Sequence, residues 1–225
     1  MEKVLVIAPH ADDEIIGCGA TMAKHILNGD EVYVVISTNA SIGAPELFSA
    51  EDIHKVRSEV LDAHKYLGVK DTFFLEFPAP ALNAFPEYQI SLAYSKIINE
   101  ISPSIIYLPH PGDIHQDHKA VYRSALVALR PQGNNNRIHS VYCYETLSET
   151  EWSPSQEKPF VPNCYVDVTA TFRKKLEAMS FIKSQLKEFP NPRSLEALEA
   201  LSKFRGSTVN VNNAEAFVIE RKIIL

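Results

Sequence analysis

Short apolar runs alternate along the chain with stretches of helical period. Residues 3–8 carry the first run, Val4-Leu5-Val6-Ile7-Ala8. A run that is apolar at every position, rather than at alternate ones, predicts a strand covered on both faces, as in a parallel sheet. Comparable strand patterns recur at 31–37, 71–77 and 104–108. Helical patterns separate them at 15–28, 50–67, 88–101 and 117–129, the first opening at Asp13 or Glu14. Asn28-Gly29-Asp30 and Gly68 read as stop signals, and 38–50 as a polar loop. Pro78, Pro80 and Pro86 mark a stiff connection.

After Pro131 the rhythm changes. A polar turn at 132–137 leads into a strand at 138–144 and then a proline-rich loop at 147–163. A short strand at 165–168 and an amphipathic helix at 171–187 follow, the latter broken by Pro190 and Pro192. A helix at 194–204 and a strand at 216–224 close the chain. Strand–helix alternation of this kind predicts an α/β fold, a mostly parallel sheet with helices on both faces and right-handed crossovers. The length of 225 residues fits one domain over 1–225, its part from about 138 completing the sheet.

Composition narrows the function classes. A net charge of −6 excludes the broad basic surface expected of a nucleic-acid binder. The three cysteines, Cys18, Cys143 and Cys164, are isolated, with no CxxC pair. That disfavours both a thiolate zinc cluster and a disulfide framework, and it suits a reducing compartment. No run approaches the roughly 20 apolar residues of a membrane span. The first strand begins within three residues of Met1, leaving no room for a signal peptide. These features lead to the expectation of a cytoplasmic protein; a homo-oligomer is compatible with them.

Polar chemistry concentrates at two strand ends. Strand one ends in Pro9-His10-Ala11-Asp12-Asp13-Glu14, and strand four in Pro109-His110-Pro111-Gly112-Asp113-Ile114-His115-Gln116-Asp117-His118. In open α/β sheets ligands bind at that edge. His10 and Asp13, three apart across a turn, can face one crevice that His118 reaches from the second cluster. Two histidines and one carboxylate leave a coordination position open, the composition of a catalytic zinc site; the same donors also suit Fe2+. Asp12, beside a ligand, is the candidate general base. His115 is placed to protonate a leaving amine, and Asp117 to orient an imidazole. Helix capping alone explains either cluster singly, but not two of them at equivalent strand ends. His25, His54, His64 and His139 fall on elements away from both clusters and read as structural or exposed, and His110, between prolines, as a supporting neighbour.

The first of these stretches is similar to the PHxDDE-type motif of the LmbE-like, or PIG-L, family of zinc-dependent deacetylases. His115-Gln116-Asp117-His118 is similar to that family's HxDH signature, and weaker likeness continues through Arg57-Ser58-Glu59, Ser184-Gln185 and Ala214-Glu215-Ala216-Phe217. The resemblance implies a Rossmann-like fold and hydrolysis of the N-acetyl group of an N-acetylglucosamine-type amino sugar, a small-molecule partner. It implies zinc at His10, Asp13 and His118, Asp12 as base, and His115 as general acid or oxyanion partner supported by Asp117. Arg57 resembles an arginine that contacts the sugar in related proteins. At Asp113 some family members carry a tyrosine. An ionised carboxylate there cannot donate to an oxyanion, so Asp113 is expected to bind a sugar hydroxyl, to orient a histidine or to shape the turn.

Rival readings are a related amide hydrolase acting on another acyl or carbamoyl group, a nucleotide-binding α/β protein, and a catalytically silent metal binder. Gly17-Cys18-Gly19 comes too late after strand one and lacks the GxGxxG form needed for the nucleotide reading. The silent reading calls for a lost base or ligand, and the sequence has lost none.

Overall fold

The computed structural model describes residues 1–133, 137–154 and 158–224. Its strands are β1 (Lys3–Ala8), β2 (Glu31–Asn39), β3 (Asp71–Pro78), β4 (Ile105–Pro109), β5 (Ser140–Tyr144), β6 (Cys164–Asp167) and β7 (Ala214–Lys222). They form one sheet in the order β3-β2-β1-β4-β5-β7-β6. The first five run parallel, and β7 is antiparallel to both of its neighbours. The helices are α1 (Asp13–Leu27), α2 (Ala40–Gly43), α3 (Ala50–Leu67), α4 (Glu87–Ile101), α5 (Gln116–Ala128), α6 (Phe172–Phe181) and α7 (Leu195–Thr208). Among the described residues no helix is long and apolar enough to cross a membrane.

The apolar run of β1 serves two cores. Val4, Val6 and Ala8 pack with α1, α3 and α6 through Ile15, Val60 and Met179. Leu5 and Ile7 pack on the other face with α4 and α5 through Ile90, Tyr94 and Val121. Each of the larger side chains here, fully buried, contributes about 1.5–3 kcal/mol. The chain leaves β1 on one side toward β2 and β3, then returns to place β4 on the other side of β1. This reversal opens a crevice at the carboxyl ends of β1 and β4, the place where open α/β sheets bind ligands. Both polar clusters sit at that crevice.

Helix α1 is broken at Cys18, whose backbone (φ −146°, ψ 22°) is not helical. The break exposes backbone groups that a buried ion pair satisfies. Lys175 Nζ donates to Ile16 O at 2.7 Å and to Glu215 Oε1 at 2.6 Å. Glu215 accepts from the Ala20 and Thr21 amides at 3.2 and 2.7 Å. Just before the break, Gly17 lies against the ring of Tyr144, where an added Cβ would stand 2.2 Å from Cδ2. Only glycine allows this approach of the helix to β5.

Several boundaries differ from those read in the sequence. Strand β2 runs on to Asn39 and α2 occupies part of the expected 38–50 loop. Helix α6 stops at Phe181, although the amphipathic pattern continues to Lys187, because the Ser184 amide and hydroxyl bond Glu59 Oε2 at 3.0 and 2.5 Å. Helix α7 extends beyond Phe204 to Thr208, and β7 begins at Ala214. The turn expected at 132–137 and the loop at 147–163 fall in part outside the described residues.

Candidate active site

The first cluster is shaped by a strained turn. Asp12 has φ 137° and ψ −25°, a conformation costing a non-glycine residue about 1–3 kcal/mol and typical of functional sites. Its carbonyl accepts the amides of Ile15 and Ile16 at 3.0 and 2.9 Å, which starts α1. Asp13, the next residue, folds its carboxylate back, and Oδ2 accepts the His10 amide at 2.9 Å. His10 and Asp13 are thereby locked together.

His118, on the first turn of α5, completes the group. Asp13 Oδ2 lies 3.2 Å from His10 Nδ1 and 3.3 Å from His118 Nε2. The far nitrogen of each imidazole meets its own carboxylate. His10 Nε2 donates to Asp117 Oδ2 at 3.2 Å, and His118 Nδ1 to Asp113 Oδ2 at 2.8 Å. Those carboxylates are themselves fixed: Asp117 Oδ1 accepts the Leu82 amide at 3.1 Å, and Asp113 Oδ1 the Thr150 hydroxyl at 2.6 Å. Metal-ligating histidines are typically oriented in this way.

Among the described residues, two sets of three side chains bring donor atoms close enough to share an ion: His10, Asp13 and His118, or His10, His115 and Asp117. Hydrogen bonding separates them. In the second set, His10 Nε2 already bonds Asp117, and His115 Nδ1 accepts the Asp117 amide at 3.1 Å as the cap of α5. In the first, the buried atoms His118 Nε2 and Asp13 Oδ1 have no hydrogen-bond partner. Orphaned buried donors and acceptors are costly, and a cation at His10, Asp13 and His118 satisfies them. The first set therefore fits a metal ion.

Charge is distributed accordingly. Burial alone would lower the His10 pKa, but Asp117 and Asp13 outweigh it and raise it to about 9. His118 is likewise opposed by burial and carried up to about 10 by Asp13 and Asp113. Against its own burial, Asp13 is held well below the usual carboxylate range by His118 and His10. Asp12 is pushed up to about 7 by burial, with Arg193 pulling it down and Asp13 and Glu14 adding to the rise. His115 falls to about 4 through burial and the nearby charge of His10.

A cleft of about 550 Å³ opens over this group, lined by His10, Asp12, His115, Arg57 and Arg193 among others. Its size is that of a small-molecule site. Arg57 lies over the Phe74 ring and donates to Glu76 Oε1 at 2.7 Å, while its second terminal nitrogen, NH2, has no partner. Asp113 is fully buried and does not line the cleft. With both oxygens engaged, it is placed to orient His118 rather than to meet a sugar hydroxyl. His110 bonds Lys158 O at 2.8 Å, away from the ligand group.

Two residues enter the site that the sequence did not single out. Arg193 NH1 donates to Asp12 Oδ2 at 2.6 Å, and its Nε bonds Ser148 Oγ at 2.9 Å. The only local signal is its place between Pro192 and the helix cap Ser194. The second is His64, read in the sequence as remote from both clusters; its Nε2 lies 3.0 Å from Glu14 Oε1 inside the first motif.

Residues 5–129, which carry both motifs, match the PIG-L family, described as GlcNAc-PI de-N-acetylase. The chain belongs to the PIG-L family. It is 31% identical over 186 residues to the uncharacterized deacetylase YaiS of Escherichia coli (strain K12), a match covering 80% of this chain and 90% of that one. It is 27% identical over 197 residues to the diacetylchitobiose deacetylase of Thermococcus kodakarensis, covering 84% and 72%. Among solved structures, the conserved protein TT1542 from Thermus thermophilus superposes with a TM-score of 0.79 at 26% identity, over 100% of this chain and 97% of that one. These PIG-L relatives thus include deacetylases, hydrolases acting on amides, on the same α/β fold.

Proposed function

We propose that the protein is a zinc-dependent N-deacetylase that hydrolyses the acetamido group of an N-acetylglucosamine-type amino sugar or its conjugate. The observation that carries this reading is the convergence of His10, Asp13 and His118 around unsatisfied buried atoms, at the floor of a cleft that His10 and Asp12 line. Similarity to a diacetylchitobiose deacetylase supports the choice of sugar.

His10, Asp13 and His118 would hold the metal. When bound, such an ion polarises a carbonyl and lowers the pKa of water to roughly 7. Asp12 is the proton carrier. Arg193 occupies Oδ2, while Oδ1 has no partner and is free to accept a proton. A pKa of about 7 lets Asp12 take a proton from the attacking water and return it to the departing nitrogen. His115 suits the oxyanion role better than that of acid. Its Nδ1 accepts the Asp117 amide, so the neutral ring carries its proton on Nε2 and can donate to the carbonyl oxygen as negative charge gathers there. Arg57, which lines the cleft, is the candidate sugar contact.

The test is acetate release from N-acetylglucosamine conjugates, with metal content measured in parallel on the wild type and on Asp12→Ala. The expected result is one bound zinc in both proteins and loss of hydrolysis only in the variant. Full activity of Asp12→Ala with its metal retained would remove Asp12 from the role of base. A panel of formyl, propionyl and carbamoyl donors tests the acyl preference, with acetyl expected to lead.

A further inference from the structure

The third carboxylate of the first motif, Glu14, takes no part in the chemistry above, yet it is fully buried. Its Oε2 accepts the backbone amide of Asp12 at 3.2 Å. Its Oε1 accepts Nε2–H of His64 at 3.0 Å, and the Thr72 hydroxyl donates to His64 Nδ1 at 2.8 Å. His64 is 2% exposed. A continuous chain therefore runs from the half-buried Thr72 on β3 through the buried His64 on α3 and Glu14 and ends on the backbone of Asp12.

We propose that His64 is a positioning residue for the catalytic carboxylate, acting through Glu14 to hold Asp12 in its strained turn. Asp12 is anchored at three points. Its carbonyl is fixed by the start of α1 and its side chain by Arg193, and its amide hangs on Glu14. Glu14 can keep its oxygen on that amide only while its other oxygen has a partner. His64 supplies that partner, and Thr72 fixes the tautomer by occupying Nδ1. With His64 removed, the buried Glu14 carboxylate loses a donor and must turn toward another one. Asp12 then relaxes out of its positive-φ geometry, and a small displacement of a reacting group is enough to slow a reaction about 10- to 100-fold.

The proposal rests on Asp12 being the base, so the test includes a readout that needs no substrate. In metal-loaded protein, hydrogen exchange at the Asp12 amide is followed by NMR for wild type, His64→Leu, His64→Gln and Thr72→Val. Metal content, kcat and KM are measured alongside. Glutamine can donate to Glu14 and accept from Thr72; leucine can do neither. The expected result is faster exchange at Asp12 in His64→Leu, a kcat reduced about tenfold or more with KM little changed and metal retained, and recovery of most of both losses in His64→Gln. Thr72→Val, which leaves His64 in place, should show a smaller change in the same direction. Unchanged Asp12 exchange in both His64→Leu and Thr72→Val would overturn the proposal, as would equal impairment of the leucine and glutamine variants, the mark of simple packing. If Asp12 exchange responds as expected while no variant and no wild type releases acetate, the positioning chain stands and the functional reading falls.

Discussion

Arg193 and Asp12 are 181 residues apart and form a bond of 2.6 Å from guanidinium to carboxylate. The contact leaves one carboxylate oxygen engaged and the other, buried, without a partner among the described residues, and it opposes the upward push of burial on Asp12. The proposed base is tuned by the balance of these effects.

Replacing Arg193 by methionine removes the lowering influence, so the Asp12 pKa should rise above about 7. A base that is protonated at higher pH loses activity from the acid side. The acid limb of the kcat/KM profile is expected to move upward by about one to three pH units, the usual effect of a nearby opposite charge, with activity lost at pH 7 recovering as the pH rises past the new limb. A pH–rate profile of the variant checks this.

At the proposed site, metal and protons would compete for the same atoms. In metal-free protein the His10 and His118 pKa values stand at about 9 and about 10, above the ordinary 6.5. A raised folded-state pKa contributes stability that is full below the unfolded value and is lost as pH climbs through the folded one. The Tm of chelator-treated protein is therefore expected to fall between pH 7 and pH 10. Metal-loaded protein, whose imidazoles hold no such proton, should not show that fall. Zinc uptake at pH 7 should release protons, measurable with a weakly buffered indicator.

The carboxylates behind the ligands are expected to tune affinity. Asp113→Ala frees His118 Nδ1 from its 2.8 Å partner. Loss of such an outer support typically weakens metal binding about 10- to 100-fold. Competition with a chromophoric chelator measures it.

The ion pair at the break in α1 is a stability element. Lys175→Met leaves Glu215 buried without its cation. Breaking a buried pair on one side costs about 3–5 kcal/mol, readable as a lower denaturation midpoint in urea. The double variant Lys175→Met, Glu215→Gln should recover part of that loss, since glutamine still accepts from the Ala20 or Thr21 amide.

Much of this architecture is legible in local sequence. The β1 run is apolar at successive positions because both of its faces are covered. Helix α3 announces itself by Ser49, which forms a capping box with Asp52, and by Gly68 in the left-handed conformation at its end. The two polar clusters could be read because each is contiguous and follows a strand. Partners drawn from distant, irregular chain were not legible. Arg193 lies in a turn between α6 and α7 whose path depends on Glu59 catching Ser184. The role of Asp113 depends on its burial, which residue type does not reveal. His64 sits on an ordinary helical position and gains its meaning only from the packing of α3 on α1.

The discontinuity at Cys18 has a mechanical outcome. Helix α1 behaves as two rods with a stitched joint rather than one beam. Distortion introduced at the exposed end, near Leu27, is expected to stop at this joint before it reaches the turn that carries Asp13. Substitutions are therefore expected to be tolerated at the exposed end near Leu27, but not at Ala20, Met22 and Ala23, which the core holds buried.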